Sequence, residues 1–226
     1  MILEPAGAPA SDAVAASQPP RPMLRGVLHG VMALFAPFGV LLLMLLADTP
    51  SGYAGGAIFA ASLVALYTSS ASYHLVPWPP RLKGVMKRVD HSMIFALIAG
   101  TYTPFCLVVL GRGWGITMLV VVWTLAGLGM LLKIAWPGAP RWLGVGLYLA
   151  VGWLAIIPAY EVASRMGAWE SALLVFGGVL YSIGGIVYAM KWPDPLPRVF
   201  GFHEVFHAFV IAGSLVHFTL VAVYVL

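Results

Sequence analysis

The sequence predicts an all-α integral membrane protein, a bundle of seven transmembrane helices with a cytoplasmic N-terminus and an external C-terminus. Three observations lead to this prediction. Charged residues are too few to cover a soluble protein, and Pro- and Gly-containing connectors separate seven apolar runs of membrane-spanning length. Lys and Arg, finally, are concentrated in alternate connectors.

The composition excludes a soluble globular domain. Of the 226 residues, 61% are hydrophobic and only 9% are charged, whereas soluble domains contain about 25% charged residues. The formal net charge of +4 gives little reason to expect a nucleic-acid partner. The single cysteine, Cys106, cannot form a disulfide within the chain.

The elements follow one another along the chain as a tail and seven helices. Residues 1–20 are rich in Ala, Pro and Ser without a helical or strand period, so we expect a disordered tail that is not a signal peptide. Residues 21–226 are expected to form one seven-helix domain, because each apolar run approaches the roughly 20 residues that cross a bilayer. Connectors such as "VPWPPR", "WPGAP" and "KWPDPLPR" end the helices. The predicted helices cover 24–47, 53–75, 87–110, 114–133, 142–160, 170–190 and 202–225.

The basic residues predict the orientation. Arg112 and Arg165 lie on one side of the predicted bundle, and the other ten of the 12 Lys and Arg residues lie on the side of the N-terminus. Cytoplasmic loops carry the excess of Lys and Arg, so the N-terminus is predicted to be inside. The ten are Arg21, Arg25, Arg81, Lys83, Lys87, Arg88, Lys133, Arg141, Lys191 and Arg198.

Ionisable residues converge at this cytoplasmic side. The predicted second helix ends with His74 and the third begins near Asp90, while "HEVFH" (203–207) opens the seventh. Ionisable groups at membrane depth indicate a functional site. His203 and His207 are four residues apart and share a helix face, as do Ser70 and His74.

Three of these residues predict a metal centre. Together with His74, the histidines His203 and His207 would give three neutral nitrogen ligands and leave a fourth position for water, which is typical of catalytic zinc. An ion held by neutral ligands in a low-dielectric setting needs a nearby anion, and Asp90 is the best-placed carboxylate. Ser70, one turn before His74, is a candidate hydrogen-bond partner of the water or of Asp90.

Three segments, "TSSASYHL", "RVDHSMIFALIAGTYTPF" and "GFHEVFHAFVIAGSLVHF", resemble the hallmark motifs of the hemolysin III family, the bacterial branch of the progestin and adipoQ receptor group that includes the adiponectin receptors. The resemblance extends over all seven predicted helices and implies a zinc near the cytoplasmic face, with ligands at the positions of His74, His203 and His207. It implies that Asp90 and Ser70 adjoin the water bound to that zinc. The wider superfamily includes alkaline ceramidases and is regarded as membrane hydrolases of lipid amides.

The identity of the general base stays open between two carboxylates. In H-E-x-x-H metalloproteases the Glu is the base, but Glu204 lies about 100° around the helix from His203. We therefore favour Asp90, with Glu204 as the alternative base or as a residue that complements the helix dipole. His91 is expected beside the site or in a structural role, and His29 and His217 are expected to be packing residues.

The functional prediction is a zinc-dependent intramembrane hydrolase of lipid amide or ester bonds. Whether the protein is an enzyme stays open, because a receptor-like or membrane-homeostasis protein could hold the same zinc as a structural ion, and the family name adds a cytolytic, pore-forming alternative. The expected partners are membrane lipids, with a substrate that enters from the bilayer of the bacterial inner membrane. No nucleic-acid partner is expected, and the sequence predicts no oligomeric state.

Overall fold

The computed structural model describes residues 21–226 and is helical almost throughout. The predicted tail, residues 1–20, lies outside the described residues. No β-strand occurs between residues 21 and 226, where the only sheet-type pairing is one isolated bridge between Leu196 and Phe200. The helices are α1 (Val27–Leu46), α2 (Pro50–Leu75), α3 (Pro80–Pro104), α4 (Arg112–Ala135), α5 (Arg141–Gly152), α6 (Ala159–Met166), α7 (Ala168–Met190) and α8 (Phe202–Leu220).

The all-α membrane fold predicted from the sequence is confirmed. Within residues 21–226, six helices are long and apolar enough to cross a bilayer, and α5 and α6 together can form a seventh, bent span. Many large apolar side chains of α1, α4 and α7 lie exposed on the outside of the bundle. In water this surface would be unfavourable, whereas lipid chains solvate it.

Two predicted helices differ most from the structure. The third begins at Pro80 rather than at residue 87, because proline is well tolerated in a first helical turn and the basic residues that follow lie on exposed turns. The fifth, predicted as continuous over 142–160, ends as an α-helix at Gly152. It continues as a 3₁₀ turn, Trp153–Ile156, and bends by 57° before α6.

The side chain of Tyr102 on α3 satisfies backbone groups freed by this bend. Its hydroxyl accepts a hydrogen bond from the backbone N–H of Ala155 and donates one to the carbonyl oxygen of Gly152, both at 2.7 Å. Irregular backbone at membrane depth needs such internal partners, because lipid offers none. The bend is therefore a built part of the bundle, and its residues line the interior cavity described below.

Close helix contacts pack the bundle in two places. A Cβ atom on Gly55 of α2 would lie 2.8 Å from the Cα of Pro104, and one on Gly184 of α7 would lie 2.9 Å from the Cβ of Phe209 on α8. Small residues let transmembrane helices approach in this way. These contacts hold α2 against α3 and α7 against α8, the two helix pairs that carry the polar residues.

Candidate metal centre

The end of α2 and the start of α8 bring three histidines together. His74, His203 and His207 are all buried, and each offers a ring nitrogen within 4.8 Å of the nitrogens of the other two. The Nε2 atoms of His74 and His203 are 3.1 Å apart. Residues that are 129 positions apart in the chain thus meet, and the three histidines could hold a metal ion.

The spacing of the His74 and His203 nitrogens fits a small transition-metal ion. Nitrogen ligands about 2.0–2.1 Å from a tetrahedral ion lie about 3.4 Å from each other, close to the separation of His74 and His203. The Nδ1 atom of His207 is buried and has no hydrogen-bond partner among residues 21–226. A buried nitrogen without a partner is unfavourable unless it meets an ion or water, and an ion is one partner that this nitrogen could meet.

The start of α8 is held by two carboxylates. Glu204 Oε2 accepts a hydrogen bond from the N–H of Gly201 at 2.8 Å, and Asp194 Oδ1 accepts one from the N–H of Phe202 at 2.8 Å. These bonds satisfy N–H groups that the first helical turn leaves without intrahelical partners. They also fix the turn that carries His203.

Arg25 and Gly26, just before α1, connect α8 to α2. The guanidinium of Arg25 forms an ion pair with Oε1 of Glu204, whose side chain is completely buried. Gly26 has φ 85°, a left-handed conformation that suits glycine. A Cβ atom at Gly26 would collide with the side chain of His74. The chain before α1 therefore packs directly behind one of the three histidines.

Both oxygens of Glu204 are therefore engaged, one by the Gly201 N–H and the other by Arg25. Glu204 thus makes helix-terminal contacts, one of the two alternatives that the sequence left open, and each of its oxygens already accepts one hydrogen bond. Asp90 differs, because it is buried and lines the same interior cavity as His203 and His207. None of the ion pairs among the described residues joins Asp90 to Lys87 or Arg88.

A chain of polar contacts extends from Asp90. Its Oδ2 lies 3.0 Å from Nδ1 of His91, and Nε2 of His91 lies 3.2 Å from the hydroxyl of Tyr188 on α7. The hydroxyl of Tyr148 on α5 donates a hydrogen bond to the backbone oxygen of His91 at 2.9 Å. His91 thus links Asp90 to α5 and α7.

His29, for which only a packing role is predicted from the sequence, lies next to the three histidines. Its ring lies parallel to that of His207, with 3.7 Å between ring centroids and 9° between planes. Its Nδ1 is 2.8 Å from Oγ of Ser70. Ser70 therefore bonds to this ring rather than back to its own helix. The position of His29 inside a predicted helix could be read from the sequence, but the ring that it contacts could not.

His217 lies apart from the three histidines. Its Nδ1 is 2.9 Å from the carbonyl oxygen of Gly213, one turn earlier in α8, and its ring stacks on Tyr181 with 5.4 Å between centroids. The packing role predicted for His217 agrees with these contacts.

The site opens into an interior cavity of about 380 Å³ lined mostly by apolar side chains. Along α7 the lining runs from Ser171 to Tyr188, which corresponds to about 25 Å of helix. Ile156 and Val175 line the cavity and are also 65% and 53% exposed on the outer surface. The cavity therefore extends from His203 and His207 to the exposed residues Ile156 and Val175, beside the bend between α5 and α6.

Comparisons with known proteins agree with the motifs. The family model described as "Haemolysin-III related" matches residues 17–218. The chain is 35% identical over 201 residues to the "Hemolysin-3 homolog" of Bacillus subtilis (strain 168), covering 88% of this chain and 91% of that protein. It is 33% identical over 203 residues to "Hemolysin-3" of Bacillus cereus, covering 88% and 90%. The "Adiponectin receptor protein" of Drosophila melanogaster is 29% identical over 185 residues, covering 72% of this chain and 40% of that protein. The chain belongs to the haemolysin-III related family of integral membrane proteins.

Proposed function

We propose that this protein is a zinc-dependent intramembrane hydrolase that cleaves an amide or ester bond in a lipid. The observation that carries the proposal is a cluster of three histidine nitrogens, two of which belong to His203 and His207 in the lining of a long, mainly apolar cavity. A soluble substrate would gain little from such a cavity, whereas a lipid chain would bury apolar surface in it.

The ligand set supports zinc as the ion. Three neutral imidazoles with one position left open are typical of catalytic zinc, whereas structural zinc sites are closed by four protein ligands. When bound, zinc would supply Lewis-acid polarisation of the substrate carbonyl and activation of a water molecule. His74, His203 and His207 would hold the ion, and the ion pair between Arg25 and Glu204 would keep α8 in register with the chain before α1.

The remaining polar residues would handle the proton. We assign Asp90 as the acceptor of a proton from the attacking water, because it is a buried carboxylate on the same cavity and is not paired with a Lys or Arg among the described residues. His91 and Tyr188 would hold the Asp90 carboxylate in place. Ser70 would adjoin the site from the side of α2.

The cavity supports a membrane lipid as the substrate. Its apolar lining matches an acyl chain, and its opening beside Ile156 and Val175 would let a lipid enter sideways from the bilayer. The distribution of Lys and Arg supports placing the histidines near the cytoplasmic face of the bacterial inner membrane.

The first experiment measures bound metal by mass spectrometry in detergent-purified protein. We expect about one zinc per chain, lost in His74→Ala, His203→Ala and His207→Ala. His217→Ala is the matched control, because it removes a buried histidine of α8 outside the cluster, and it should keep the metal. Wild type purified without chelator but free of metal would overturn the proposal.

The second experiment measures hydrolysis of lipid amides and esters in proteoliposomes. Asp90→Asn should keep the zinc and lose turnover. If the zinc-loaded wild type hydrolyses none of the substrates, the result would favour a non-catalytic, structural ion. The Bacillus cereus relative is named a hemolysin, so dye leakage from the same liposomes is measured in parallel. Leakage that survives loss of all three histidines would support cytolytic activity instead.

A further inference from the structure

A second concave site lies beside the metal centre and has a different character. It is a pocket of about 280 Å³, lined by Lys87 and Arg88 of α3, Lys133 of α4 and Arg141 of α5. We propose that these four residues bind the phosphate group in the headgroup of a membrane lipid. This binding does not depend on the hydrolysis proposed above.

The charges around the pocket are not neutralised by the part of the chain that the structure describes. No Asp or Glu lines the pocket, and none of the ion pairs in residues 21–226 includes one of its four cations. Asp90 contacts His91, which also lines the pocket. The Nε atom of Arg88 is buried without a hydrogen-bond partner there. Four like charges facing one concavity repel each other, and an anion with several oxygens relieves that repulsion. Phosphate suits both Arg and Lys as donors.

Two of the cations are held in position by aromatic rings. The guanidinium carbon of Arg141 lies 4.7 Å from the ring centroid of Tyr188, and its Nη1 donates a hydrogen bond to the backbone oxygen of Tyr188 at 3.2 Å. The ammonium of Lys133 lies 5.6 Å from the ring centroid of Tyr148. A Cβ atom at Gly144 would collide with this ammonium, so the glycine leaves space for it. The remaining N–H donors of both cations stay available to a ligand.

The surroundings of the pocket favour a lipid phosphate over a soluble one. Lys133 lies in the last turn of α4, and Arg141 is the first residue of α5. Between and beside them lie Trp136 and Trp142, which are 50% and 69% exposed. Exposed Trp at helix ends is typical of the membrane interface. The pocket therefore lies at the depth of lipid headgroups.

The pocket shares a wall with the cavity of the metal centre. His91, Tyr148 and Tyr188 line both spaces. The two tyrosine hydroxyls contact His91, one at its backbone oxygen and the other at its ring. A lipid whose phosphate lies in the basic pocket is thus separated from Asp90 by one layer of side chains.

The test is a titration of the purified full-length chain with phosphatidic acid, with thermal unfolding in a non-ionic detergent as the readout. Diacylglycerol with the same acyl chains and inorganic phosphate are titrated in parallel. We expect phosphatidic acid to raise the unfolding temperature with a saturating dependence and the other two to have much smaller effects. An equal effect of diacylglycerol would show that only the acyl chains bind, and an equal effect of inorganic phosphate would show a free-phosphate site. Either result would overturn the proposal.

Variants then locate the binding. Lys87→Gln/Lys133→Gln removes two pocket cations and should weaken phosphatidic acid binding about tenfold or more. Arg81→Gln/Lys83→Gln removes the same charge from exposed positions of α3 outside the pocket and should leave the affinity within about twofold. Equal losses in the two variants would reduce the effect to general electrostatic attraction and refute the site.

A third variant separates this inference from the proposed hydrolase. A metal ion could bind phosphate itself, so the titration is repeated in His203→Ala, which lacks a metal ligand. Stabilisation by phosphatidic acid that persists in this variant supports the basic pocket even if no hydrolysis is ever detected. Stabilisation that disappears with the histidine would assign the phosphate to the metal and overturn the proposal.

Discussion

The ion pair between Arg25 and Glu204 makes a sharp prediction about how the histidines are held together. Glu204 is completely buried, whereas the side chain of Arg25 is 18% exposed. Removing one partner of a buried pair costs about 3–5 kcal/mol, because the other charge stays buried without compensation. Arg25→Met leaves the carboxylate with only the Gly201 N–H. Because the pair lies near the protein surface, we expect the lower end of that range, about 3 kcal/mol of unfolding free energy.

The reverse change should cost less. Glu204→Gln keeps an oxygen that can accept the hydrogen bond from Gly201, and the partly exposed guanidinium of Arg25 can recover contact with water. We expect a loss of about 1–2 kcal/mol. The double variant should be more stable than the sum of the two losses implies, with a coupling of about 2 kcal/mol between the positions.

The measurement is the free energy of unfolding in mixed micelles, with zinc affinity as a second readout. Arg165→Met is the matched control, because Arg165 pairs with Glu161 four residues away at an exposed site, with side chains 45% and 26% exposed. An exposed pair contributes less than about 1 kcal/mol. If Arg25→Met proved no more destabilising than Arg165→Met, or if the double-variant coupling were near zero, the assignment of the pair as the link between α1 and α8 would be refuted.

Two further predictions concern residues packed behind the histidines. His29→Ala should weaken zinc binding about tenfold, because it removes the ring stacked on His207. His29→Phe keeps a ring there and should change the zinc affinity by less than about threefold. Equal losses in the two variants would contradict a role for stacking. Gly26→Ala should lower the unfolding temperature, since the left-handed backbone costs a side chain about 1–2 kcal/mol and the new Cβ would meet His74. Gly127→Ala in α4 is the control, because nothing lies within 4 Å of its added Cβ. The unfolding temperatures of the two variants should shift in opposite directions or by clearly different amounts.

The membrane fold was predictable because the bilayer imposes a simple length rule. A run of about 20 apolar residues must cross as a helix, since lipid provides no hydrogen-bond partners for any other backbone. The bend between α5 and α6 was not predictable from hydropathy, because residues 153–160, which contain it, are all apolar. Pro158 marks the place in the sequence, but the partner that makes the bend tolerable is the hydroxyl of Tyr102 in another helix.

The three histidines could be grouped from the sequence because helix spacing and shared depth restrict where they lie. His203 and His207 are four residues apart, and His74 ends a helix at the same side of the bundle. Depth alone cannot say which side chains touch, so the stacking of His29 on His207 and the engagement of both Glu204 oxygens required the structure. The contacts of Asp90 and Glu204 were of this kind too, since the one-residue offset of Glu204 from His203 gives its direction but not its partners.

The contacts of Glu204 also explain how a zinc-protease-like "HEVFH" motif can serve a different arrangement. In the H-E-x-x-H motif of soluble metalloproteases the glutamate is the general base and must face the ion. Here Glu204 is the third residue of α8 and lies where N–H groups of the first turn need an acceptor, so the backbone of Gly201 takes one oxygen and Arg25 takes the other. A carboxylate fixed in that way stabilises the helix that supplies two of the three histidines. In the hydrolase that we propose, the base therefore comes from a different helix: Asp90 on α3 is the buried carboxylate that shares the cavity with His203 and His207.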